Sequence, residues 1–276
     1  MTTPWLYRIT AIGRPLDPRY RSNLLLLLLL PGAALAAGLL GAGALAGALA
    51  AFGAWALTRE LAPDDDPAAF VSVALGFAAL LAFGVDSLLP VFVALLLCRV
   101  VNRSTGLPAT PLDSLLVGAF VTWAALRLGQ PLLLLSAAAA FALEATLHNG
   151  RPWQLVTAST CLFAGIGLVL ARGLEAASPL ALDAGPTAVL GAILLLFGWR
   201  VRATRAVLAP GDVGGLPLDP RRVRSGMLVG ASVPLQALVT GADGPTVEVL
   251  TWACLAGTGL GGLLPRGRAG RSTSGT

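Results

Sequence analysis

Glu144 and His148 stand four residues apart, a spacing that puts both on one face of a helix. His148 is the only histidine, and a carboxylate beside an imidazole can relay protons or retune the ring. The plainer reading is the end of a helix at a membrane surface, because Asn149, Gly150 and Pro152 follow at once. Glu248 opens the last apolar run, after the turn sequence GADGP at 241–245, and is a candidate ion or proton site. Gln236 lies two residues after Pro234 inside another apolar run, where a proline-broken helix frees carbonyls that can line a polar cavity.

Two further clusters carry charge. In RVVNRSTG, Arg99 and Arg103 flank Asn102, and Ser104, Thr105 and Gly106 can form a turn whose amides would meet a phosphate. Asp64, Asp65 and Asp66 are consecutive. Magnesium-pyrophosphate sites need carboxylates a turn apart on facing helices, so these three read as helix caps and loop solvation instead. One histidine supplies too few nitrogen ligands for zinc, and Cys98, Cys161 and Cys254 are too widely spaced for a metal or disulfide framework. No motif calls for a cofactor.

These residues sit in a chain with few charges. Of 276 residues, 56% are hydrophobic and 12% charged, against about 25% in a soluble domain. Such a surface suits lipid rather than water or nucleic acid. Every one of the 19 basic residues is arginine, the mark of a GC-rich genome, and a prokaryotic inner membrane is the expected location.

Ten apolar runs are legible, at roughly 24–40, 43–58, 67–83, 87–101, 113–127, 131–147, 153–171, 185–201, 225–240 and 246–264. Several fall below the ~20 helical residues that cross a ~30 Å hydrocarbon layer. Residues 24–57 and 67–101 can each be read as one long helix or as a hairpin. GAG at 41–43 and GVDS at 84–87 favour hairpins, since a hairpin spares Asp86 a mid-bilayer position. The fold class expected is therefore all-α and polytopic, with about ten short helices (eight if both pairs merge).

With the N-terminus in the cytoplasm, Arg8, Arg14, Arg19, Arg21, Arg59, Arg99, Arg103, Arg151, Arg200, Arg202, Arg205, Arg221, Arg222, Arg224, Arg266, Arg268 and Arg271 all fall on the inner side. Only Arg127 and Arg172 fall outside, which is a strong positive-inside bias. Both termini are then cytoplasmic. Residues 1–22 form a basic leading segment, 23–265 the helical domain and 266–276 a basic tail. Trp55, Trp153 and Trp199 would sit in the inner aromatic belt, while Trp123 and Trp252 read as packing residues.

The string PLDPR occurs at 15–19 and 217–221, with PLDS at 111–114. Its aspartate suits a helix N-cap and its second proline the first helical position. Asp113 and Asp66 can cap in the same way. The sharper reading is an internal duplication, which a likeness between 116–129 and 228–241 also suggests.

The leading function is a small carrier or channel for a small solute. A second is a membrane enzyme that acts on a lipid phosphate, held by Arg99, Arg103, Arg221, Arg222 and Arg224. A third is an assembly subunit. Anionic headgroups are the expected partners of Arg19, Arg21, Arg99, Arg103, Arg221, Arg222 and Arg224. Copies can associate through Gly/Ala-rich helix faces.

Overall fold

The structure is a computed structural model that describes residue 7 and residues 9–172, 184–240 and 248–264. Arg8, Asp243, Arg266, Arg268, Arg271 and the tail at 266–276 lie outside the described residues. Each apolar run carries one helix: α1 Arg21–Leu39, α2 Ala44–Leu61, α3 Asp66–Phe83, α4 Leu89–Asn102, α5 Pro111–Leu128, α6 Leu133–Thr146, α7 Gln154–Arg172, α8 Ala184–Ala203, α9 Pro220–Thr240 and α10 Val249–Gly261. The chain is all-helical among the described residues apart from one isolated β-bridge, Pro210 with Pro217.

Both ambiguous stretches break where the glycines stand. Gly41 and Gly43 adopt φ of 81° and 86°, and Gly84 adopts 70°, values that side chains oppose. Asp86 follows in an exposed loop.

Length sorts eight of the helices by place, while α2 and α9, with 18 and 21 residues, also pack inside. Helices α1, α3, α5, α7 and α8 are long and apolar enough to cross a membrane. Of these, α1, α7 and α8 leave most of their surface exposed. Helices α4, α6 and α10 have only 14, 14 and 13 residues, or about 20 Å each. They lie inside: α4 packs against α2, α6 and α9, and α10 against α3, α8 and α2. Their sides are covered by neighbouring helices.

Close approach rests on small residues. A Cβ on Gly257 would lie 2.1 Å from Ser72 Oγ, one on Gly261 2.2 Å from Ala68 Cβ, and one on Gly47 2.3 Å from Ala37 Cβ. These glycine faces at α3–α10 and α1–α2 are thus filled within the chain.

The PLD copies precede α1 and α9 and open α5, but only one caps as the sequence suggests. Asp219 stands just before α9, with Pro220 as its first residue. Asp17 does not cap α1, which starts at Arg21 behind Tyr20. Instead it accepts the Arg19 amide at 2.9 Å, as Asp219 accepts the Arg221 amide at 2.8 Å. For α5 the cap is Thr110, and Asp113 completes a capping box from the third helical position. For α3 the cap is Asp65, one residue before Asp66. Two tryptophans also differ from expectation. Trp55 is buried and donates to Ser22 Oγ at 3.3 Å, and Trp123 is exposed beside Phe120.

Candidate functional site

The N-termini of the odd-numbered helices and the C-termini of the even-numbered ones meet at one end of the bundle. Ion pairs make most of the joints there. Glu60, at the end of α2, is 1% exposed and takes Arg99 Nε of α4 at 3.2 Å, with Arg14 at 3.5 Å. Asn102 Nδ2 donates to the Glu60 carbonyl at 2.8 Å. Arg14 in turn forms a two-pronged pair with Asp212, 2.7 Å for each bond, and the Tyr7 hydroxyl donates to the same carboxylate at 3.1 Å. Burial and the Asp212 carboxylate push the Tyr7 phenol up to about 12. Burial works against the Arg14 charge, but Glu60 and Asp212 more than offset it and raise its pKa.

Glu144 on α6 is fully buried between two arginines. Arg103 Nε approaches both carboxylate oxygens at 3.0 and 3.1 Å, and Arg222 Nη1 of α9 lies 2.6 Å from Oε2. Other guanidinium donors reach backbone carbonyls. Arg103 reaches the Asn149 carbonyl at 2.9 Å, and Arg222 reaches the carbonyls of Val101 and His148 at 3.0 and 2.9 Å. Arg103 ends α4 in the left-handed region, at φ 50°, and Asn149 adopts 57°. A cation and its carbonyl acceptor thus both occupy sparsely populated backbone conformations. His148 lies past the end of α6 with its side chain exposed, so its carbonyl rather than its ring joins the cluster.

The three aspartates divide their work. Asp64 accepts the amides of Leu208 and Ala209, at 2.9 and 2.6 Å. Asp65 caps α3 and pairs with Arg200 of α8 at 2.9 Å, both buried. Asp66 pairs with Arg59. Asp113 accepts Thr10 Oγ1 at 2.5 Å and the Ala11 amide at 2.9 Å, which straps residues 10–12 over the bundle end. Thr105, in the turn suggested as a phosphate cradle, donates to the Ala11 carbonyl, and its own carbonyl accepts Val213 N at 2.8 Å. Arg19, Arg21 and Arg221 are exposed at this end, and Arg224 is half-buried.

Two polar groups lie deeper. Ser136 of α6 and Ser232 of α9 have their hydroxyls 2.6 Å apart, and Gln236 Nε2 donates to Ser136 Oγ. Pro234 sits between them inside α9. Glu248, just before α10, is 0% exposed, and neither of its carboxylate oxygens has a hydrogen-bond partner among the described residues. The Thr251 hydroxyl and the Trp252 indole N–H are likewise buried and unpaired. Among the described residues, no three of the His, Cys, Asp and Glu side chains gather to hold a metal.

Sequence reasoning missed Glu60, Asp212 and the Thr251–Trp252 pair. Glu60 carried one signal, an acid in the last turn of a largely apolar helix, where the helix dipole disfavours it unless a cation is near. No protein-family model, curated protein or solved structure matches the chain.

Proposed function

We propose that this chain is a multi-pass membrane carrier or channel for a small solute, with its arginine-rich end in the cytoplasm. All ten helices cross or nearly cross the bilayer, the long outer ones facing lipid and the short inner ones facing each other. Anionic headgroups contact Arg19, Arg21, Arg221 and Arg224 at the inner surface.

One observation supports the solute reading above the rest: the Ser136–Ser232–Gln236 cluster beside Pro234. Ser232 is ten residues along α9 from Arg222, or about 15 Å at 1.5 Å per residue. That depth is half of a ~30 Å hydrocarbon layer. Their mutual hydrogen bonds offset the cost of burial, and hydroxyl and amide groups at that depth are suited to line a polar path. The Glu60 and Glu144 pairs close the cytoplasmic end over it.

The enzyme reading loses three of its five donors and keeps Arg221, exposed, and Arg224, half-buried. Arg99, Arg103 and Arg222 are already committed to carboxylates and carbonyls, and a phosphate would have to enter against Glu60 or Glu144. The assembly reading keeps one support, a groove of about 310 Å³ between α5 and α7. Ser114, Gly118 and Thr122 line one wall, and Thr157, Cys161 and Ala164 the other.

The test is solute flux. Proteoliposomes should shrink and reswell in glycerol or urea gradients faster than empty vesicles, with the difference reduced at least several-fold in Gln236→Leu. Equal rates in loaded and empty vesicles, across small neutral, cationic and anionic solutes, would remove the carrier reading and leave assembly.

A further inference from the structure

The far end of the bundle holds an acid without a base. Glu248 is fully buried, and its two oxygens stand unpaired among the described residues. Every other buried glutamate in the described structure, Glu60 and Glu144, has two arginines. A bare carboxylate is costly in such a place, and the usual resolution is to carry a proton.

Among the described residues, the helices packed against α10 offer Glu248 no counter-charge. Helix α10 packs against α3, α8, α2, α4 and α9. The charged side chains of those helices are Asp66 on α3, Arg200 and Arg202 on α8, Arg59 and Glu60 on α2, Arg99 on α4, and Arg221, Arg222 and Arg224 on α9. All lie at the opposite end. Apart from Glu248 itself, the titratable side chain on α10 is Cys254, six residues along the helix.

The position also discriminates among cations. Metal ions need several oxygen ligands, and the start of a helix presents N–H groups and positive potential instead. What the site does offer is donors. Thr251 and Trp252 follow at the third and fourth positions, on the face of the helix that Glu248 occupies, with Oγ1 and Nε1 both unspent. These two can hold a carboxyl group in either protonation state.

We propose that Glu248, flanked by Thr251 and Trp252, is a proton-exchanging site in the non-cytoplasmic half of the bundle. The step is simple: one carboxylate oxygen takes a proton from hydronium at that surface, leaving a water molecule, and the neutral acid then pairs with Thr251 and Trp252. The proton returns by the same bond breaking in reverse, and no electrons move. Buried hydroxyls and a thiol continue the polar line inward. Ser72 donates to the Cys254 carbonyl at 3.5 Å, and the buried Thr58 hydroxyl on α2 has no partner among the described residues.

Infrared difference spectroscopy on the full chain in lipid bilayers tests this, following the carboxylic-acid carbonyl band through a pH titration in H₂O and D₂O. The wild type should show a protonated carboxyl band near neutral pH that fades on alkalinisation and shifts in D₂O. Glu248→Gln should lose it, while Glu144→Gln and Glu60→Gln should keep it. Thr251→Val, which retains the acid, should move the band. The proposal is overturned by a wild type with no such band, or by a band that survives Glu248→Gln. Should Glu248→Gln fail to fold, an unmoved band in Thr251→Val overturns it equally. The measurement reads protonation whatever solute is moved, so failure here would leave the solute reading standing, and failed solute flux would leave this one standing.

Discussion

Arg99 and Arg103 stand four residues apart at the end of α4 and grip different glutamates, Glu60 on α2 and Glu144 on α6. The central helix therefore fastens two neighbours through one short stretch of chain. The two clusters differ in balance. Around Glu60, two arginines meet two carboxylates, because Arg14 also binds Asp212. Around Glu144, two arginines meet one carboxylate, and backbone carbonyls take the surplus donors.

The Glu144 cluster should therefore fail badly if its acid is removed. Glu144→Ala leaves two guanidinium groups facing each other in a buried place, which costs about 3–5 kcal/mol by analogy with other broken buried pairs. Unfolding in detergent at graded denaturant should show that loss. Replacing Glu144, Arg103 and Arg222 together by apolar residues of similar volume should recover most of it, since the intact cluster gains little over good apolar packing.

The leading strap should respond to pH and to Asp212. Its Tyr7 phenol lies above the ordinary value near 10, because of burial and then Asp212. A folded value above the unfolded one makes the bond's contribution fully present below pH ~10. That contribution is lost as pH rises through about 12. Tyr20→Phe leaves Tyr7 as the sole tyrosine, so ultraviolet titration of its phenolate reads this directly. The midpoint should fall towards 10 in an added Asp212→Asn. The same substitution should speed tryptic cleavage after Arg8, which precedes Ile9.

Glycine substitutions should separate inner contacts from outer surface. At Gly257 a Cβ would meet Ser72 backbone atoms at 2.7 Å, which no side-chain rotation relieves. Gly257→Ala should destabilise by about 1–3 kcal/mol, the usual range for overpacking. Gly191, half-buried on α8, has nothing within 4 Å of an added Cβ. Gly191→Ala should be neutral or stabilising by up to ~1 kcal/mol. Thermal stability of both variants in one detergent checks the contrast.

How much of this could be read from the chain follows from the range of the forces. The ten helices and their breaks are local: apolar runs set the bodies, and Gly41, Gly43 and Gly84 set the turns. Caps were harder, because Asp65 and Asp66 are equally suitable and only the fold chooses between them. The pairing of Glu60 was invisible, since its partners Arg99 and Arg14 are 39 and 46 residues away along the chain. Glu144 was found as a candidate but next to the wrong kind of neighbour. Helix spacing suggested His148, but α6 ends at Thr146 and throws the histidine off the shared face. Thr251 and Trp252 were hidden because a threonine or tryptophan in an apolar run is ordinarily a packing residue.

The account rests on a bilayer around this bundle, with the ion-paired end on one side. Impermeant maleimide labelling tests that most directly, using single cysteines in a background freed of Cys98, Cys161 and Cys254. The exposed positions Asp86 and Arg127 report the far end, and Arg151 and Arg205 the ion-paired end. In intact cells, cysteines at 86 and 127 should label and those at 151 and 205 should not, with the pattern reversed in inverted vesicles. Labelling of both sets from the same side would contradict it.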